Sequence, residues 1–139
     1  MLLERFEEAR RWFLQALRDL KAARDSCAAQ NFEWTCFQAQ QAAEKAAKAL
    51  CFASGISPWG HSVVELLQHL KEKFTVSEEL MTWARELDRH HIPSRYPNAF
   101  ESGYPALFYD CEVASRALSC SQKIMEFTRG ELKRLGVEI

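Results

Sequence analysis

The densest chemistry in the chain falls between Arg85 and Tyr109, where Arg85, Asp88, His90, His91, Arg95 and Tyr96 bring cations, a carboxylate, imidazoles and an aromatic ring together. A guanidinium holds phosphate through a planar fork of donors, a tyrosine ring stacks on a base, and an imidazole exchanges protons near neutral pH. Asp88 and His91 are three apart, so a helix continued through both would give them one face and let the acid orient a general base. A structural alternative uses the same residues: Arg95 pairs with an acid such as Asp88, and Tyr96 and the prolines pack the segment onto the rest of the chain.

A second set is Gln41, Glu44, Lys45 and Lys48. On a helix these offsets fall along one face, where Glu44 and Lys48 form a salt link and Lys45 reaches a phosphate. An ordinary solvated face accounts for the same spacing. Metal chemistry has no comparable support. His61, His69, His90 and His91 make no His-x-x-x-His or Glu-x-x-His pattern, and Cys27, Cys36, Cys51, Cys111 and Cys120 include no Cys-x-x-Cys pair. No metal and no cofactor are expected, and the cysteines read as small apolar packing residues. Glycine-rich phosphate loops and Gly-x-Ser-x-Gly are absent too, which removes the enzyme classes built on them.

Helices must position these groups. Phe6, Ala9, Phe13, Ala16, Leu20, Ala23 and Cys27 recur at steps of three and four, predicting an amphipathic helix from Leu3 to about Ala28. Asn31 is a candidate cap for a second helix over Phe32–Ala53, stopped by Gly55, and its alanine-rich centre predicts close packing. Ser62 is placed to cap a third, through Val63, Leu66, Leu67, Leu70 and Phe74. Ser77 with Glu78 and Glu79 predicts a fourth, to about His90. Pro93, Pro97, Gly103 and Pro105 then forbid a continuous helix, so His91–Tyr109 reads as one long irregular segment, and segments of that length often carry function. Asp110 caps a last helix that runs nearly to the C-terminus. No alternating β-branched run appears, and the expected fold class is all-α: an antiparallel up-and-down bundle of four to five helices in one domain, residues 1–139.

With 18 basic and 19 acidic side chains the net charge is −1, so global charge does not drive binding to nucleic acid, although a local basic cleft is compatible with it. The mixed charged and apolar start after Met1 is unlike a secretory signal, and no apolar run is long enough to span a membrane, so a cytoplasmic protein is expected. Trp12, Trp34, Trp59, Trp83 and nine phenylalanines are more large apolar groups than one small bundle hides, which predicts a homodimer.

Three segments, in order, resemble the HEPN family, the higher eukaryotes and prokaryotes nucleotide-binding domains. Phe13–Ala23 is similar to the family's opening helix. Phe37–Leu50 contains its Gln-x-x-Glu-Lys-x-x-Lys pattern, and Leu87-Asp88 followed by Ile92-Pro93-Ser94-Arg95-Tyr96-Pro97 is close to its Leu-Asp and Arg-Tyr-Pro signature. His61 falls where such sequences have a histidine opening the third helix. The resemblance implies a two-fold dimer that contacts a nucleotide of the ATP or GTP class, or RNA. It also implies partnership with a minimal nucleotidyltransferase, and toxin-like action, as in toxin-antitoxin systems, for the ribonuclease members. The nucleotide-binding residues it points to are Lys45, Asp88, His91, Arg95 and Tyr96. Other members resemble metal-independent ribonucleases in which an Arg and a His with four to six residues between them meet in the dimer cleft, a spacing met here by Arg85 with His90 or His91. Glu86 and Pro93 depart from that nuclease pattern, which favours the nucleotide-binding module over the ribonuclease. A purely structural helical adaptor is the third possibility.

Overall fold

The computed structural model describes all 139 residues, and every regular element is a helix. Helix α1, Leu2–Ala28, buries Ala9, Phe13, Ala16, Leu20 and Ala23, the stripe expected from the spacing. Helix α2, Phe32–Ser54, returns antiparallel after a short link. The pairing shows it directly: Ser26 meets Gln38, Asp19 meets Lys45, and Trp12 meets Phe52, each step forward on α1 matching one backward on α2. Gly55 ends α2 in the left-handed region at φ 75°, a conformation that costs glycine nothing. Asn31 occupies the cap position of α2, but its side chain makes no capping hydrogen bond.

Helix α3, Val63–Leu70, starts where Ser62 accepts a hydrogen bond from the Glu65 amide, and α4, Glu78–Asp88, where Ser77 accepts one from Leu80. Both end sooner than the periodicity suggests. Beyond Leu70 the chain turns, and Phe74 packs from outside the helix. Beyond Asp88 it turns again, leaving His90 and His91 in non-helical backbone. Residues 89–110 form the irregular segment, interrupted by 3₁₀ turns at Pro97–Ala99 and Pro105–Phe108. Helix α5, Cys111–Leu135, is capped by Asp110, whose carboxylate accepts from the Val113 amide at 2.9 Å.

The core lies around α2, which touches every other helix of the bundle. Ala39, Ala42, Ala43, Ala46 and Ala47 are wholly buried there, and such small side chains let the neighbouring backbones approach. On α5, Ser121 donates to the carbonyl of Ala39 at 2.7 Å. Because α2 is surrounded, its polar residues are enclosed with it: Gln40 is 0% exposed, Glu44 3% and Lys48 8%. The solvated face that composition suggested for Glu44 and Lys48 is therefore an interior one, and each polar group there needs an internal partner. No helix is long and apolar enough to cross a membrane.

Candidate functional site

Asp88 is the last residue of α4, yet its carboxylate belongs to α3. One oxygen accepts from the Val63 amide at 3.0 Å and the other from the Val64 amide at 3.1 Å, with Ser62 Oγ donating at 2.8 Å. The α3 N-terminus, whose first amides have no helical partners, thus has its counter-charge supplied by another helix. Gln40, from the buried face of α2, donates to the same carboxylate at 3.2 Å and to the His61 carbonyl at 2.9 Å. Three helices are tied at this point. Asp88 neither pairs with Arg95 nor bonds the His91 ring, as the two sequence expectations had it. The helix stops before that i, i+3 pair can form, and the only link is the His91 amide donating to the Asp88 carbonyl at 3.3 Å.

The turn after Asp88 carries the two histidines to different sides. The His91 ring stacks on His61 with centroids 5.5 Å apart and planes within 15°, and the ring centre of Phe37 of α2 lies 6.3 Å from it. His61 Nδ1 is 3.5 Å from Glu44 Oε2, and that oxygen also pairs with Lys48 Nζ at 3.2 Å. The Lys48 ammonium in turn lies 5.5 Å from the Trp12 ring centre. Together His61, Ser62, Asp88, His91, Ile92 and Pro93 line an open cleft of about 330 Å³.

Arg95 borders this group. Its Nε and Nη2 donate to the His91 carbonyl at 3.0 and 2.8 Å, and its guanidinium lies 4.2 Å above the Phe37 ring and 5.0 Å from that of Tyr96. No carboxylate pairs with it. Asp88, in the cleft wall, is engaged by α3, and Glu44, behind His61, by Lys48, so the unpaired charge beside the cleft is the cation of Arg95. Two aromatic faces hold that planar cation in place, where its remaining N–H groups can fork onto a phosphate. Burial, then the Arg95 charge, lowers the pKa of His91, so the ring stays neutral at neutral pH. Its Nδ1 is enclosed without a hydrogen-bond partner.

His90 faces the opposite way, its Nδ1 3.0 Å from the Tyr109 hydroxyl, and burial lowers its pKa as well. Both folded-state values lie below the ordinary 6.5, so the unfolded chain takes up protons that the folded chain refuses as pH falls through 6.5. Stability is accordingly expected to fall from about pH 7.5 to about pH 5.5 and to recover when the pH is raised. Urea midpoints at the two pH values check this, and His90→Gln should shrink the difference.

The remaining candidates lie elsewhere. Arg85 pairs with Glu78 at 3.0 Å on the exposed side of α4 and makes no polar contact with either histidine. Lys45 is held by Asp19 of α1 and opens on the α1–α2 groove beside Trp12, not on the His91 cleft. Tyr96 stays with Arg95, half exposed. The structure brings together His91, Arg95 and Tyr96, sets Asp88 at the end of the helix just before them, and adds Phe37 and His61. Phe37 carried only an apolar signal in the sequence, and its place under Arg95 depends on how the irregular segment folds back on α2.

A family model described as HEPN domain matches residues 9–132. Among solved structures, TT1696 from Thermus thermophilus is 42% identical at a TM-score of 0.87, covering 89% of this chain and 98% of that one. ST0689, described as an archaeal HEPN homologue, is 33% identical with a TM-score of 0.78, over 90% of this chain and 98% of its own. A HEPN domain protein from Thermotoga maritima is 35% identical with a TM-score of 0.73, over 89% and 98%. Among curated proteins none matches.

Proposed function

The chain belongs to the HEPN domain family, and from that membership we propose that it is a homodimeric nucleotide-binding module that takes a nucleotide of the ATP or GTP class in the cleft of His61, His91 and Arg95. The observation that carries this reading is the state of Arg95: a guanidinium fixed against Phe37 and Tyr96, without an acid partner, beside imidazoles whose neighbouring carboxylates are already engaged. Phosphate supplies the missing counter-charge, and the half-exposed Tyr96 ring and the His61 ring offer faces for a base. Dimerisation is supported by Trp34 at 46% and Trp59 at 72% exposure. The family resemblance makes a minimal nucleotidyltransferase the protein partner. Asp88 serves the site by setting the turn and leaves contact with the phosphate to Arg95.

Titration calorimetry of ATP and GTP in EDTA, paired with light scattering at micromolar concentration, tests this directly. Saturable binding and twice the chain mass are expected; a strict monomer that takes up neither nucleotide would end the proposal. The ribonuclease alternative needs Arg85 from one subunit beside His90 or His91 of another, since one chain keeps them apart. Cleavage of a mixed RNA in EDTA, lost in His90→Ala or His91→Ala, would replace the present reading with that one.

A further inference from the structure

Behind His90, across the turn from the His91 cleft, lies a second cavity of about 310 Å³, to which the proposed function gives no role. Its cover is a pair of phenylalanines from the irregular segment, Phe100 and Phe108, stacked with centroids 4.3 Å apart and planes within 8°. Phe108 remains 51% exposed, so the pair presents a flat apolar face beyond the contact the two rings make with each other.

The polar wall has an unequal charge. Glu86 accepts from Arg116 Nε at 2.8 Å and from the Cys120 thiol at 3.3 Å. Burial pushes its carboxyl up, but these bonds outweigh burial and hold its pKa below the ordinary value, so Glu86 and Arg116 cancel as a charged pair. Arg89, on the same wall, forms no ion pair and no side-chain hydrogen bond, so the charged groups that line the cavity leave one positive charge, while Glu112, outside the lining, reaches Arg116 at 3.9 Å. His90 and Tyr109 hold each other at 3.0 Å, and burial raises the phenol's pKa, keeping it protonated.

We propose that this cavity is a second ligand site, separate from the His91 cleft, which takes a flat aromatic monoanion: the ring lies on Phe108 and the anionic group pairs with Arg89. One net positive charge selects one negative charge, and a dianion would face the Glu86 carboxylate with no further cation to meet it. Stacked aromatic walls favour a planar ring over a saturated one of equal size. The volume is at the small end of ligand cavities and suits one such molecule.

Two aromatic monoanions of different origin, cyclic AMP and 1-naphthoate, serve as probes by calorimetry, with adenosine and cyclohexanecarboxylate as uncharged and non-aromatic controls. At least one probe is expected to bind once per chain, with its control at least about tenfold weaker. Which probe binds decides between a nucleotide and another aromatic acid. Arg89→Gln and Phe108→Ala, both at exposed positions, should each weaken binding at least about tenfold while circular dichroism stays unchanged. Arg95→Gln, in the first cleft, should leave it alone, so failure here and failure of the proposed nucleotide site are separable. Binding of neither probe, controls that match the probes, indifference to both cavity substitutions, or loss in Arg95→Gln would each overturn the assignment.

Discussion

Replacing Asp88 by alanine is expected to lower the free energy of unfolding by about 3 kcal/mol and the melting temperature by roughly 10 °C. The substitution removes an acceptor that serves two amides, a hydroxyl and a carboxamide from α3 and α2 at once. Hydrogen bonds to a charged group contribute about 1.5–3 kcal/mol each, but water replaces part of the loss at this half-buried place, so the total falls well below the sum. Gln40 is wholly buried, and its NH2 group would keep only the His61 carbonyl as an acceptor. Asparagine preserves the shape but turns an amide nitrogen toward N–H donors, so Asp88→Asn should recover little. Calorimetric melting of both variants measures the effect. A change within about 0.5 kcal/mol of wild type, the range of ordinary surface substitutions, would show that the carboxylate does not tie the helices together. Nucleotide affinity, measured below the melting transition, should fall far less than stability if Asp88 acts only by shaping the turn.

Asp88 also shows why the fold was easier to read than the site. The stripe on α1, the Ser62, Ser77 and Asp110 caps and the Gly55 stop are local signals, because each depends on residues within a turn or two of one another. All five helices could be placed from them. Where local rules met a longer-range competitor they failed at the ends: α4 stops at Asp88, so the i, i+3 relation to His91 never forms, and α3 stops at Leu70 with Phe74 packing from a turn. The service Asp88 gives to α3 spans more than twenty residues and has no periodicity to announce it. Lys45 fails as a cleft residue for a similar reason, since its partner Asp19 was fixed only once α1 lay antiparallel on α2. Glu44 and Lys48 were correctly paired, but their enclosure depended on α2 being central. Adjacent histidines gave no hint that the turn would send one to each side. The sequence placed His91, Arg95 and Tyr96 on one segment, but not the Phe37 ring beneath the arginine.

Arg95 carries the second large effect, on binding rather than stability. It makes its hydrogen bonds to one carbonyl and lies on two ring faces, so glutamine at this place should cost the fold little while removing the cation that borders the cleft without an acid partner. Charge-assisted bonds of this kind contribute about 1.5–3 kcal/mol, which corresponds to a loss of affinity of about ten- to a hundredfold. Lysine keeps the charge but neither the planar fork nor the stacking, and should fall between wild type and glutamine. The deciding measurement is calorimetric titration of ATP and GTP into the wild type, Arg95→Lys and Arg95→Gln, all confirmed folded. The order of affinity predicted is wild type above lysine above glutamine, with at least about a tenfold span; equal affinities across the three, or a wild type that binds neither nucleotide, would contradict the cleft as a nucleotide site.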